Sequence, residues 1–360
     1  MEDVDIHANT PPELKQITSC ISFIPEASKQ IYEKEYLKFS EFLGKYQLLP
    51  QNASKNIVLS YLCLLSNAGY SPTTIRKIHS ILKTTLLEKF NISIQSVKME
   101  KYLKNLESKH SKKKSATFTQ EHVSFFLQNA DDSEFLLEKF LILVAIYGAL
   151  RCEEITRLTW EDIKEDKDKL IISIQFSKTT KNKVETFVCT ASSNEKENIF
   201  FYFQKYRNQF QNGTRTGRLF RRWNAKSQKR EKSPLGHNTI AKIPLKIAIF
   251  LQEKMPGFDK APSTYTGHCF RRTAATWAAD FGVSVINLKR FGRWKSDKVA
   301  MEYVDDSSKT KEEIAQSVSI PPSTNKPIIQ LQEASNNPLP VLNFSGGFNN
   351  CTINISYEKK

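Results

Sequence analysis

The chain has 360 residues, 39% of them hydrophobic, which is enough for two globular domains with cores of their own and excludes a disordered tail. Fifty-three Lys and Arg against 38 Asp and Glu leave a net charge of +15, the footprint of a protein that neutralises phosphates, although ribosomal and membrane-surface proteins share it. The longest apolar run, around residues 140–150, is too short for a bilayer, the acidic N-terminus lacks a signal-peptide pattern, and Cys20, Cys63, Cys152, Cys189, Cys269 and Cys351 show neither CxxC nor paired metal spacing. These features predict a soluble intracellular protein with reduced thiols, no disulfide framework and no zinc site.

Residues 1–20 read as a loose polar leader with paired prolines. Residues 21–107 carry helical spacing throughout, with Tyr32, Tyr36, Phe39 and Leu43, then Leu59, Leu62 and Leu65, stepping by three and four. Ser71-Pro72-Thr73 starts a further helix with Ile75, Ile78, Ile81 and Leu82 on one face. Residues 108–117 are polar and basic without apolar periodicity and read as an interdomain linker, whose Lys112, Lys113 and Lys114 are candidates for crossing a DNA backbone.

The second domain is expected over residues 118–318. Thr119 precedes a helical pattern, and a strongly apolar helix follows from Ser133 to Tyr147, punctuated by Gly148. Leu150, Ile155 and Leu158 give the next helix an apolar side, with Arg151 and Glu154 three apart on a neighbouring face. The period then changes to two. Leu170–Ser177 and Val184–Thr190 read as strands of a hairpin with Lys178, Lys181 and Lys183 at its tip.

Helix returns over about 196–210, and Gly213–Pro234 reads as a loop dense in Arg and Lys, either DNA-contacting or simply solvated. Ser263–Thr266 offers caps for a helix carrying His268 and Arg271 at i and i+3, which Gly282 ends. Ser296 caps a short helix through Tyr303, and residues 310–318 form one more. Residues 319–360 are a Pro- and Asn-rich tail whose alternating end (Phe344, Phe348, Cys351, Ile353, Ile355) reads as a strand for another sheet edge, a fold-back strand or a disordered end. The elements add up to a mainly α fold with a small antiparallel β-sheet, a helical module followed by a larger α+β domain.

Arg151, Lys178, His268, Arg271, Trp294 and Tyr303 supply in order what a tyrosine needs to break a phosphodiester. Guanidinium presents paired donors that match phosphate oxygens and keeps its charge, which suits Arg151 and Arg271 to the non-bridging oxygens. Taken alone, Arg151 could do no more than pair with Glu154, and Arg272 competes with Arg271 for the helix register, the i,i+3 step from His268 favouring Arg271. Lys178 on a flexible turn could protonate the departing 5′ oxygen, with Lys181 and Lys183 as competitors. His268 can donate to phosphate or take the phenol's proton; Trp294 can hold an oxygen through its N–H or simply pack; Tyr303 is the nucleophile. Cys152 and Cys269 flank site residues, and small-residue packing explains both.

Gly148-Ala-Leu-Arg-Cys-Glu-Glu-Ile-Thr-Arg-Leu158, Ser177-Lys178-Thr-Thr-Lys, Gly267-His-Cys-Phe-Arg-Arg272 and Gly292-Arg-Trp294 followed by Tyr303 resemble the boxes of the tyrosine recombinase (phage integrase) family over about residues 119–318. The preceding helical module is similar to the family's core-binding domain. The resemblance implies that Arg151, Lys178, His268, Arg271, Trp294 and Tyr303 are the catalytic set, with Trp294 where many members carry His, and that Glu154 braces the first arginine. It implies cleavage of double-stranded DNA through a 3′-phosphotyrosine with no metal and no nucleotide cofactor, by a homo-oligomer, dimer to tetramer, on DNA. No GxxxxGK[ST] loop and no acidic metal triad stands in the sequence. The helical module, the Trp box and the Cys-containing tail also resemble recombinases of eukaryotic Crypton-type mobile elements or host genes descended from them, which implies a nuclear location, or the nucleoid in a bacterial host. Three other readings compete: a mobile-element-derived DNA-binding regulator without turnover, a type IB topoisomerase, and a basic DNA-packaging protein.

Overall fold

A computed structural model describes residues 24–110, 114–175, 184–210, 215–224 and 226–318, and shows thirteen α-helices and two small antiparallel sheets among them. The first four helices, α1 (Lys29–Gly44), α2 (Lys55–Asn67), α3 (Pro72–Phe90) and α4 (Val97–Ser108), fall where the sequence spacing is helical. Their starts are written in the sequence: Ser54, Ser71 and Ser96 each accept a hydrogen bond from an amide three residues on, and Pro72 fills the first turn of α3, where its absent N–H costs nothing. Phe39, Leu43, Val58, Leu62, Ile75, Leu82, Leu86, Met99 and Leu103 form a core belonging to these helices. Arg76 ties α3 to α4 through Glu107 at 2.6 Å.

Thr119 caps α5 (Gln120–Asn129) in a reciprocal box with His122. In α6 (Asp132–Tyr147) every residue from Phe135 to Ala145 is buried, so the helix has no solvated face and runs through the interior. Its two buried charges in this stretch are paired, Lys139 with Asp132 at 2.7 Å and Glu138 with Lys246 at 3.0 Å. After α7 (Cys152–Arg157) come β1 (Ile163–Asp166), β2 (Lys169–Ile174) and β3 (Glu185–Thr190), antiparallel in that order, with Ile163 opposite Ile172 and Ile174 opposite Glu185. The expected hairpin of β2 and β3 is present, while its tip lies outside the described residues. Strand β1 is an addition: Ile-Lys-Glu-Asp has no apolar alternation, and its partner β2 rather than its own side chains defines it.

Helix α8 (Ile199–Asn208) falls within the predicted 196–210. Within the stretch expected as a basic loop, the described residues include two paired antiparallel strands, β4 (Arg221–Asn224) and β5 (Lys229–Pro234). Basic groups here are stacked on aromatic rings rather than solvated. The Arg230 guanidinium lies 5.0 Å from the Tyr206 ring centre and 5.3 Å from that of Trp223, and Arg221 is buried with its Nε donating to the Arg218 carbonyl. Helix α9 (His237–Lys254) occupies residues to which the sequence patterns assign nothing. Pro244 is buried within the helix, alongside Ile240, Ile243, Ile247 and Leu251.

Residues 115–118, the end of the basic stretch, are fastened to the segment 264–273. The Ala116 amide donates to the Thr264 carbonyl at 2.9 Å, the Thr266 amide to Ser115 Oγ at 3.0 Å, and the Phe118 amide to Thr273 Oγ1 at 3.0 Å.

The chain divides into two compact units, residues 1–274 and 275–360, and α10 (Cys269–Asp280) begins in the first and ends in the second. Gly282, at φ +82°, terminates it as the sequence predicts, and the Val283 amide returns to the Ala278 carbonyl at 3.0 Å. The second unit continues with α11 (Val285–Phe291), α12 (Asp297–Asp306) and α13 (Ser308–Val318). Ala275, Ala279, Leu288 and Ala300 form its core, flanked by Val283, Phe291, Trp294 and Tyr303. No helix among the described residues is long and apolar enough to cross a membrane.

Candidate active site

The turn that ends α6 builds the first part of the site. Gly148 closes the helix because a Cβ there would lie 2.7 Å from Phe187 Cζ on β3. Ala149 follows at φ +43°, a left-handed position that glycine usually takes, and the amides of Ala149 and Leu150 return to the carbonyls of Ile146 and Ala145. This hairpin-tight stop delivers Arg151 at the start of α7.

Arg151 is not on the helix face that its spacing suggests; it is the residue that caps α7. Glu154 Oε2 accepts from the Arg151 amide at 2.9 Å, and Glu154 Oε1 accepts from the Arg151 guanidinium at 2.7 Å. The carboxylate is 1% exposed and the arginine side chain 17%, so the pair is held away from most of the solvent. Arg271, on the first turn of α10, is 5% exposed and donates to the Ala149 carbonyl at 2.7 Å. Both arginines are therefore anchored on the same short run, residues 149–154.

His268 lies one residue before α10 rather than within it. Its carbonyl accepts the Arg272 amide at 3.1 Å, and the residue is exposed. Arg272 goes another way from Arg271: its guanidinium donates to the Ser115 carbonyl in the fastened end of the basic stretch. Lys178, Lys181, Lys183, Lys112 and Lys113 lie outside the described residues; Lys114 is exposed.

The remaining two site residues belong to the second unit. Trp294 and Tyr303 stack with ring centres 5.0 Å apart and planes at 18°. Tyr303 is half-buried on α12, whose start is capped by Ser296 Oγ accepting from the Lys298 amide. Gly292 has no alternative, since a Cβ there would overlap the six-membered ring of Trp294.

Several features of the site escape sequence reading. The Ala149 carbonyl as the seat of Arg271 and the Ser115 carbonyl as that of Arg272 are backbone groups with no residue signature; only Gly148 after a long apolar run signals a turn at that place. The two cysteines beside the site are buried, and burial pushes the thiol of Cys152 up to about 11 and that of Cys269 up to about 12. Neither is poised to be a thiolate. Among the described residues no group of three or more His, Cys, Asp or Glu side chains is placed to hold a metal ion.

Comparison with known proteins gives the family and the fold. The profile of the phage integrase family matches residues 116–310. Among solved structures, the XerH site-specific recombinase bound to its palindromic difH substrate superposes with a TM-score of 0.57 at 16% identity, over 79% of this chain and 78% of that one. The Tn1549 transposon integrase in complex with transposon right-end DNA gives 0.56 at 15%, over 85% and 98%. A lambda integrase dimer bound to a core site gives 0.51 at 14%, over 82% and 94%. No curated protein sequence matches the chain. With a family profile spanning more than half its length and the same fold in these structures, the chain belongs to the phage integrase family.

Proposed function

We propose that the protein is a DNA strand-exchange enzyme that cleaves and rejoins duplex DNA through a 3′-phosphotyrosine. The observation that carries this reading is the anchoring of Arg151 and Arg271 on one short run, the first by Glu154 and the second by the Ala149 carbonyl. Guanidinia held in this way can meet the non-bridging oxygens of a phosphodiester without reorganising as charge builds on them. The Tyr303 oxygen attacks phosphorus, the bond to the 5′ oxygen breaks, and that oxygen leaves as a hydroxyl with a proton from Lys178. His268 serves the phosphate or the phenol's proton, and Trp294 positions Tyr303 by the stacked contact between their rings. The reverse reaction on a partner duplex completes exchange.

The net charge of +15 supports a nucleic-acid partner, and the XerH, Tn1549 and lambda proteins are all described as DNA complexes. In this reading the helical module of residues 21–107 and the catalytic domain of residues 118–318 hold the duplex between them, with residues 108–117 crossing the backbone. Assembly on DNA as a dimer to tetramer, origin in a transposable element and a nuclear location are parts of the same proposal.

The test is covalent trapping on a nicked suicide duplex carrying a site selected by the protein from random DNA. Wild-type protein should accumulate an adduct; Tyr303→Phe should bind the same duplex and form none. Binding by the wild type without any adduct would leave a DNA-binding regulator in place of an enzyme.

A further inference from the structure

The residue next to the site arginine points to a role of its own. Adjacent positions on a helix lie about 100° apart around the axis, so Arg271 and Arg272 leave it on different sides. Arg271 reaches the Ala149 carbonyl, and Arg272 donates to the Ser115 carbonyl. Ser115 is the hub of a strap. Its carbonyl takes Arg272, its hydroxyl takes the Thr266 amide at 3.0 Å, and the next amide, that of Ala116, donates to the Thr264 carbonyl at 2.9 Å. Two residues on, the Phe118 amide donates to the fully buried Thr273, and the Phe118 ring stacks on Tyr265 at 4.5 Å. Exposed Lys114 immediately precedes this strap.

We propose that Arg272 is a positioning residue, which fastens the end of the basic linker to the helix carrying Arg271 and so fixes the register in which Lys114 meets the DNA backbone. This rests on the reading of the chain as a DNA-binding recombinase. A linker end free to wander would lose chain entropy every time it settled on phosphates; a strap fixed beforehand has already lost it. Arg272 therefore acts on affinity for duplex, while Arg271 acts on the reacting phosphate.

The experiment uses the full chain with Arg272→Ala and Arg272→Lys. Hydrogen exchange at the amides of Ala116, Phe118 and Thr266, without DNA, should speed up in Arg272→Ala. Duplex affinity should fall about tenfold, the scale of one lost charge-assisted hydrogen bond. The single-turnover cleavage rate at saturating duplex should stay within about threefold. Arg272→Lys, which keeps one donor, should recover most of the affinity. Unchanged exchange in Arg272→Ala would overturn the proposal, as would a saturated cleavage rate that falls as far as the affinity and is not rescued by lysine. A wild-type chain that binds no duplex would overturn the DNA reading and the register with it, while the exchange measurement would still decide whether Arg272 holds the strap.

Discussion

Replacing Glu154 with glutamine removes a charge from the most enclosed pair of the site while keeping the side chain's size. The carboxylate is 1% exposed and accepts both the Arg151 amide and the Arg151 guanidinium, at 2.9 and 2.7 Å. An amide can present only one oxygen to these two donors, and its own N–H₂ then faces a donor. One charge-assisted bond is lost, worth about 1.5–3 kcal/mol, and the guanidinium keeps part of its solvation because it is 17% exposed, which holds the cost near the lower figure. A loss of about 2 kcal/mol corresponds to a drop in melting temperature of roughly 4–8 °C for a domain of this size. If Glu154 also sets the aim of Arg151, single-turnover cleavage of the suicide duplex should slow by about thirtyfold, the same free energy expressed at the transition state. Thermal unfolding and cleavage kinetics measured on Glu154→Gln, Arg151→Ala and the double variant separate the two effects. In the double variant the losses should be strongly non-additive, because each single change already breaks the pair. Additive losses, or a Glu154→Gln protein as stable and fast as wild type, would refute the bracing role.

Three further outcomes follow from the same geometry. Arg271→Ala removes the tie to the Ala149 carbonyl and, in the proposed mechanism, a phosphate ligand, and should cost roughly 3 kcal/mol in single-turnover cleavage, more than a hundredfold, with duplex affinity much less affected. Gly148→Ala drives a methyl group to 2.7 Å from the Phe187 ring and should destabilise by about 1–3 kcal/mol in denaturant titration, since α6 and β3 are both packed around it. The burial that raises the thiols of Cys152 to about 11 and Cys269 to about 12 favours their protonated forms, so their contribution to stability is complete below the usual thiol range near pH 9 and is lost as pH climbs toward those values. Unfolding midpoints should accordingly decline from pH 9 upward, and both thiols should resist iodoacetamide at pH 8 until the chain is unfolded; rapid alkylation of the folded protein would contradict their burial.

Periodicity made the helices legible where one face is apolar and the cap is a serine, as in α3 after Ser71 or α12 after Ser296. It failed where the stabilising partner is far away in sequence. Strand β1 is polar and exists because β2 pairs with it, and Arg230, in a run that sequence leaves open between DNA contact and solvation, lies against Tyr206 and Trp223. The site divides in the same way. Arg151 with Glu154, and His268 with Arg271, stand three residues apart, a spacing that the sequence itself displays. What sequence cannot display is which backbone carbonyl receives a guanidinium, and here two carbonyls, those of Ala149 and Ser115, separate the tasks of neighbouring arginines.

The contact between Gly292 and Trp294 constrains how this protein can change over generations. The indole occupies the space that any side chain at position 292 would need, so no single substitution at 292 is neutral while the tryptophan stands. A smaller residue in place of Trp294 would free that space, and would uncover the face of Tyr303 on which the indole stacks. Selection on the tyrosine's placement thus reaches a glycine two residues away from the tryptophan, through volume alone.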